Sequence, residues 1–378
     1  MNFEPVDLTD AELALQGEIR AFLEAELPRG SFEPGLGMGG PKDAAFSQRL
    51  AARGWVGMSL PRRYGGGDRA AVERFIVVEE LLRWGAPVAH HWFADRQSGP
   101  LIARVGTEDQ KERFLPAICR GELSFCVGMS EPDSGSDLAS VKSRAERCSG
   151  GYLVNGTKVW TTGAHHHDWM ITLVRTAEGS VRSEGLSQLL IDLRAPGVTV
   201  RSIPFLDGTA DFNEVVLSDV FVPEEDRIGI EGNGWAQSAS ELAFERGGPD
   251  RWLSTFLVLE QFLREHPRAG SDPELVEFVG AATARWWGLR NMSLAVARGI
   301  DMGLSVAAEA ALVKEMGTRF ELDVLEELRE LVELEPSPGS DSLFERLLVT
   351  AILTSPSFTI RGGTIEILRS VAAKGLRA

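Results

Sequence analysis

The period of the apolar residues changes twice along this chain, and that double change restricts the fold more than any single residue does. Up to about residue 121 apolar side chains recur at helical spacing. ELALQGEIRAFLEAEL is one such stretch, with Thr9 or Asp10 placed to cap its start. Pro28 and the glycine-rich GLGMGGP end it, and DAAFSQRLAARGW and AVERFIVVEELLRW supply two further helices. Thr107 and Gln110 in GTEDQKERFLP have the spacing of a capping box. Near residue 122 the period shortens. GYLVNGTKVWTT, WMITLVR, SQLLIDL, GVTVRSI and NEVVLSDVFV read as short strands rich in β-branched residues, and Asn155-Gly156 predicts a hairpin turn. From about Trp235 the helical period returns in AQSASELAFE, in RWLSTFLVLEQFLREH and in a long stretch from Glu274 to Val332. ELEPSPGSDS then reads as a loop before two last helices. The expected organisation is three domains: helical over 1–122, β over 123–232, and helical over 233–378. That is an α+β chain, mainly α.

A chain of 378 residues, 43% hydrophobic, is long enough to bury two or three cores. Its 55 acidic and 39 basic residues give a formal net charge of −16, which disfavours nucleic acid and anionic membrane surfaces as partners. A local basic pocket for an anionic ligand remains compatible with that balance. Cys119, Cys126 and Cys148 form neither a metal-spaced pair nor a disulfide framework, as expected in a reducing cytoplasm. MNFEPVDLTD has no basic region followed by an apolar run, so no secretory signal is expected, and no apolar run has the length of a membrane span.

Two polar stretches in the β region carry chemistry. In VGMSEPDSGSDLASVKSRAER, residues 127–147, hydroxyls, glycine and proline crowd one loop, which offers side-chain and backbone donors to a polar ring or a phosphate. In GTKVWTTGAHHHDW an aromatic face is followed by hydroxyls, the needs of a planar cofactor with polar edges. His165, His166 and His167 invite a metal reading, but no further cluster stands at ligand spacing, and neighbours on a strand point to opposite faces. No metal site is expected.

These stretches resemble the first and second signatures of the acyl-CoA dehydrogenase family, flavoenzymes that desaturate acyl thioesters between the α and β carbons. The resemblance extends over nearly the whole chain. It includes GWVGMSLPRRYGGG and FNEVVLSDVFVPEEDRIGIEGNGW. It implies an N-terminal helical domain, a β-barrel-like middle domain and a C-terminal four-helix bundle, with FAD as cofactor and an acyl-CoA as substrate. Carried over by position, Met129, Ser130 and Trp160 meet the flavin ring, and Thr162 bonds near its N5. Gly135 and Ser136 lie near the flavin and the CoA entrance, and Thr364 and Glu366 approach the pyrophosphate.

Many members hold their catalytic base, a Glu, in a C-terminal segment. Here that segment is IRGGTIEILR, and the slot is Gly362, which has no side chain. The long-chain and isovaleryl branches carry the base on a helix of the C-terminal domain, and Glu245 in ELAFERGGPDR matches that position. Glu245 follows Leu242, Ala243 and Phe244, so it stands in apolar company, as a base of raised pKa requires. Pro249 gives no N–H to the Glu245 carbonyl, and Gly247 and Gly248 are expected to leave open space beside it. Arg246 matches an arginine beside the active site. The backbone N–H of Gly362 remains available to hold the thioester carbonyl.

Two family features are missing. FLREHPRAGSDPE replaces an R-x-x-F-G segment that reaches the FAD of a neighbouring subunit, with Arg264 and Arg268 as poor substitutes. LRELVELEPSPGSDSLFERLL lacks a Gln–Gly–Gly segment that serves the adenine. Both serve the adenosine half of a site completed across subunits. The resemblance therefore implies a homo- or hetero-tetramer, with an α2β2 assembly on a second related chain as the expectation that the gaps favour. The family's usual electron acceptor is electron-transferring flavoprotein. The alternatives are a non-catalytic or half-site subunit of a heteromeric enzyme, and a flavin oxidase or monooxygenase on the same fold.

Overall fold

A computed structural model describes the chain apart from Gly39 and residues 239–245, 267–269, 333–336 and 377–378. Among the described residues five α-helices precede the sheet: α1 (Asp10–Glu26), α2 (Ala44–Ala52), α3 (Ala71–Trp84), α4 (Gly99–Val105) and α5 (Glu108–Cys119). Their starts follow the sequence. Thr9 accepts from the Glu12 N–H while Glu12 returns a bond to the Thr9 N–H, and Thr107 and Gln110 make the same reciprocal pair. Asp43 caps α2 through the Phe46 N–H. The π-helical turn Ala94–Ser98 leading into α4 has no counterpart in the sequence reading.

Among the described residues eight strands follow: β1 (Phe125–Gly128), β2 (Arg144–Cys148), β3 (Gly151–Lys158), β4 (Trp169–Arg175), β5 (Leu186–Asp192), β6 (Val198–Ile203), β7 (Phe212–Pro223) and β8 (Arg227–Ile228). They form one sheet in the order β6-β7-β3-β2-β4-β5-β8, with β1 running parallel to β4. The expected hairpin at Asn155-Gly156 is not there. Both residues lie inside β3, which pairs with β2 on one edge and β7 on the other, and the register shifts between Val154 and Gly156. Ladder bonds on two sides outweigh a local turn preference, and the mismatch is absorbed as a bulge. The actual turn between β2 and β3 is at Ser149-Gly150, where Cys148 faces Gly151.

Residues 234–238 are helical, and the C-terminal part continues as α6 (Phe256–Glu265), α7 (Pro273–Asp301), α8 (Ala307–Leu331), α9 (Leu343–Thr354) and α10 (Ile365–Gly375). The long helical stretch is thus two helices, broken after Asp301. Among the described residues no helix is long and apolar enough to cross a membrane.

By internal contacts the chain forms two compact units, and their boundaries cut across the three-part division of the sequence. One joins Met1–Pro41 and Ala70–Pro87 to residues from 243 onward; the other joins Lys42–Arg69 to Val88–Leu242. In the first, α3 packs by charge as well as by its apolar face. Glu79, buried, takes two bonds from Arg290 of α7 (2.6 and 2.9 Å), and Asp301 accepts the Ala71 N–H at the open start of α3 (2.5 Å). In the second, α4 and α5 lay Leu101, Ile102, Phe114, Leu115 and Ile118 against Phe125, Ile171 and Leu190 of the sheet. A separate cluster, with Tyr152, Val154, Met170, Leu189, Val215 and Val220, forms on other sheet positions.

Candidate functional site

The residues singled out in the sequence divide between the two units, and each unit gathers its own share. In the sheet unit, β1 ends at Gly128 and the chain leaves the ladder as the loop from Met129 onward. Glu131 and Ser134 exchange backbone bonds of 2.8 and 3.0 Å, which closes the loop into a turn. Ser134 and Ser140 both give their hydroxyls to the Asp137 carbonyl. Met129 and Ser130 are half-buried, whereas Gly135 and Ser136 are exposed, with open space around Gly135.

The second stretch is bound to the first. Lys158, the last residue of β3, is fully buried, and its ammonium donates to Glu131 Oε1 (2.8 Å), the Leu173 carbonyl (2.6 Å) and the Met129 carbonyl (3.2 Å). Val159 N–H donates to the Ser130 carbonyl (2.9 Å). Burial pushes the Glu131 carboxyl up, but Lys158 and the N–H groups of Lys142 and Ser143 outweigh it and hold the group below the usual carboxylate range. Burial also lowers the Lys158 ammonium to about 8, against the pull of Glu131.

Trp160 follows in the left-handed region (φ 60°), a conformation that costs a bulky residue free energy. Its indole is 57% exposed and touches Phe212 edge-on, with ring centroids 6.0 Å apart. An indole held out by a strained backbone, and not buried for packing, is a surface offered to something flat. Thr161 and Asn213 exchange bonds at 2.9–3.0 Å, yet the buried Thr161 hydroxyl has no partner. Thr162, the hydroxyl expected from the sequence, is half-buried beside it. The three histidines are not on a strand: residues 162–166 form a turn, and the His165 and His166 rings lie side by side, 3.8 Å between centroids. Among the described residues no group of three or more His, Cys, Asp or Glu comes together to hold a metal.

In the helical unit, Glu245 lies outside the described residues, as does Arg268. Arg246 is described: its Nε donates to the Gly362 carbonyl at 3.3 Å. Gly247 does not leave open space. It is buried, and a Cβ there would stand 2.6 Å from Val296 Cγ1 on α7, so its small size serves close packing of the turn on a helix. Arg264 is engaged by Glu260 one turn back (3.1 Å).

Gly362 is also left-handed (φ 66°), and a Cβ there would lie 2.9 Å from Arg251 Nη1 and 3.0 Å from its Cζ. Arg251, 1% exposed, pairs with Asp250 at 2.9 Å. Around it lie Arg361 with Glu321 (2.6 Å) and Lys314, whose ammonium donates to Thr318 Oγ1 and the Phe358 carbonyl, both at 2.8 Å. Burial, then repulsion from Arg251 and Arg361, brings Lys314 down to about 7. Thr364 caps α10 through the Ile367 N–H, and Glu366 is exposed in its first turn.

Two family models match the chain up to residue 220: the acyl-CoA dehydrogenase N-terminal domain over residues 9–122, and the acyl-CoA dehydrogenase middle domain over 126–220. The acyl-CoA dehydrogenase IpdE1 of Mycobacterium tuberculosis is 33% identical over 376 residues, covering 95% of each chain. The chain belongs to the acyl-CoA dehydrogenase family. Members of this family are FAD-dependent oxidoreductases, the enzyme class that the motifs imply. The solved structure of the Tcur3481-Tcur3483 steroid ACAD superimposes with a TM-score of 0.85 at 26% identity, over 100% of this chain and 99% of that one. The ChsE4-ChsE5 complex from Mycobacterium tuberculosis gives 0.82 at 25% identity, over 99% of both.

For an acyl-CoA dehydrogenase, the residues present suit a flavin ring: an exposed indole, an open loop at Gly135, and a buried hydroxyl on Thr161 still short of a partner. Position 362 itself carries no side chain, and a Cβ there would crowd the Arg251 guanidinium. Sequence reasoning missed Lys158, Thr161 and Arg251. A lysine in a strand between β-branched neighbours was the available signal for Lys158; nothing local marks Arg251.

Proposed function

We propose that this chain is the catalytic subunit of an acyl-CoA dehydrogenase that desaturates a bulky acyl-CoA to its trans-2-enoyl thioester, with Glu245 as the base. The observation that supports it is the Arg251 guanidinium beside Gly362. With no side chain at Gly362 and a Cβ there crowded by Arg251, the helix position is left as the place for the base. Glu245 takes the α-proton. The Gly362 N–H holds the thioester carbonyl and stabilises the enolate-like charge that develops there. Arg246, on the Gly362 carbonyl, keeps that segment in place. Met129, Ser130, Trp160 and Thr162 hold the flavin ring, Gly135 and Ser136 border it towards the CoA, and Thr364 and Glu366 serve the pyrophosphate. Bound FAD supplies the acceptor for the β-hydride at N5.

The assembly proposed is α2β2, with a related chain completing the adenosine side. The Tcur3481-Tcur3483 steroid ACAD and the ChsE4-ChsE5 complex support it, and the steroid ACAD supports a polycyclic acyl group. Cytoplasmic location, domain limits near residues 122 and 232, and electron-transferring flavoprotein as acceptor belong to the same proposal.

Glu245→Gln, co-expressed with a related partner chain, tests it. The expected result is a loss of kcat by about 10²–10⁴-fold with FAD content unchanged, the span removed with a general base. An undiminished rate refutes the assignment of the base. Purified alone, the chain is expected to hold far less than one FAD per chain; flavin-saturated homotetramers refute the mixed assembly.

A further inference from the structure

We infer that Lys158 and Glu131 are a positioning pair that sets the two flavin-facing stretches against each other, so that flavin binding depends on their charges and not only on the packing they provide. The inference rests on the flavin reading proposed above.

The pair gathers backbone from four places. Lys158 spends its three N–H donors on Glu131 Oε1, the Met129 carbonyl and the Leu173 carbonyl. Glu131 accepts the Lys142 N–H at 2.6 Å and the Ser143 N–H at 2.9 Å. The loop after β1, the segment entering β2, the end of β3 and the middle of β4 are thereby tied to one ion pair. Met129 is the residue at which this matters. The pairing of β1 with β4 stops at Gly128, opposite Thr172, so the next carbonyl has no ladder partner. Lys158 provides the missing donor, two residues before Trp160.

Packing alone does not account for the choice of residues. Removing two charges from water is costly, and apolar side chains of similar volume commonly replace a buried ion pair without loss of stability. What apolar groups lack is direction. Three bonds radiating from one ammonium fix where the Met129 carbonyl points, and with it the course of Met129 and Ser130 beside Trp160.

The test uses the complex with its partner chain and three variants: Lys158→Met, Glu131→Gln, and the two combined. FAD affinity, the visible flavin absorption, kcat/KM and the urea unfolding midpoint are read for each. Each single variant leaves one buried charge alone, and both stability and FAD affinity are expected to fall, the latter at least tenfold. The double variant removes both charges. Its unfolding midpoint is expected to return towards wild type while FAD affinity stays at least tenfold weaker and the flavin band stays altered. Wild-type FAD affinity, spectrum and kcat/KM in the double variant overturn the inference, as does flavin loss that merely tracks stability across all three. A wild-type complex without FAD overturns the flavin reading itself, and the role of the pair with it.

Discussion

Replacing Gly362 by alanine adds one carbon, and the structure fixes what that carbon meets. The backbone there has φ 66°, where an L-residue with a Cβ is strained by roughly 1–2 kcal/mol. The Cβ would sit 2.9, 3.0 and 3.2 Å from Nη1, Cζ and Nη2 of Arg251. An exposed arginine would swing aside. Arg251 is 1% exposed and holds Asp250, so it yields only by disturbing the buried charges around it, at the roughly 1–3 kcal/mol typical of overpacking. Gly362→Ala is therefore expected to lose about 2–5 kcal/mol in urea unfolding, read as a shift in midpoint at constant slope. Glutamate at the same position brings the same clash with a longer side chain. In the Glu245→Gln background, Gly362→Glu is expected to recover no dehydrogenation, although it restores the pattern of many family members. Stability within about 0.5 kcal/mol of wild type for Gly362→Ala, the range of an innocuous surface change, refutes the packing argument. Recovery of turnover by Gly362→Glu refutes the expectation for that variant.

Two further outcomes follow from the sheet unit. Trp160→Gly removes an exposed ring from a left-handed backbone, so the unfolding free energy is expected to hold or rise by up to about 1 kcal/mol while FAD per chain drops severalfold; a fall of about 3–5 kcal/mol, as for a core tryptophan, with FAD unchanged refutes it. Burial brings His91 to about 4 and His167 to about 3, both from 6.5, so the fold binds these imidazoles neutral and the unfolded chain takes up their protons first. Their contribution is complete above pH 6.5 and is lost as pH falls through about 4 for His91 and about 3 for His167, on the order of 3 and 5 kcal/mol respectively. His91→Gln and His167→Gln should each flatten that part of the stability–pH curve; an unchanged slope in both refutes the assignment.

Much of the architecture was readable because it is local. The Thr9 and Thr107 capping boxes, the start of α2 at Asp43 and the strands from Trp169 onward depend on side chains within a few residues of one another. Where a reading failed, something distant intervened. Asn155-Gly156 has the composition of a turn, but ladders on both sides keep it in β3. Gly247 looks like open space in the sequence and is closed by Val296, 49 positions later. The site shows the same division. SEPDSGSD and KVWTT are contiguous stretches, so their resemblance to the family signatures could name Ser130 and Trp160 as expectations without coordinates. The partnerless hydroxyl on Thr161, next to the Thr162 that was named, depends on Asn213 and on burial.

The sequence by itself determined the order of helix, sheet and helix, the family, the net acidic charge and the absence of a carboxylate at Gly362, because periodicity, composition and residue identity are properties of the chain alone. Tertiary structure decided what a side chain at that position would meet. It put the Arg251 guanidinium, 111 residues away in sequence, where a Cβ at 362 would stand, and the Lys158 ammonium on the carbonyl that β1 leaves unpaired. Both facts turn on which atoms share a few cubic ångströms. Only the packed chain sets that.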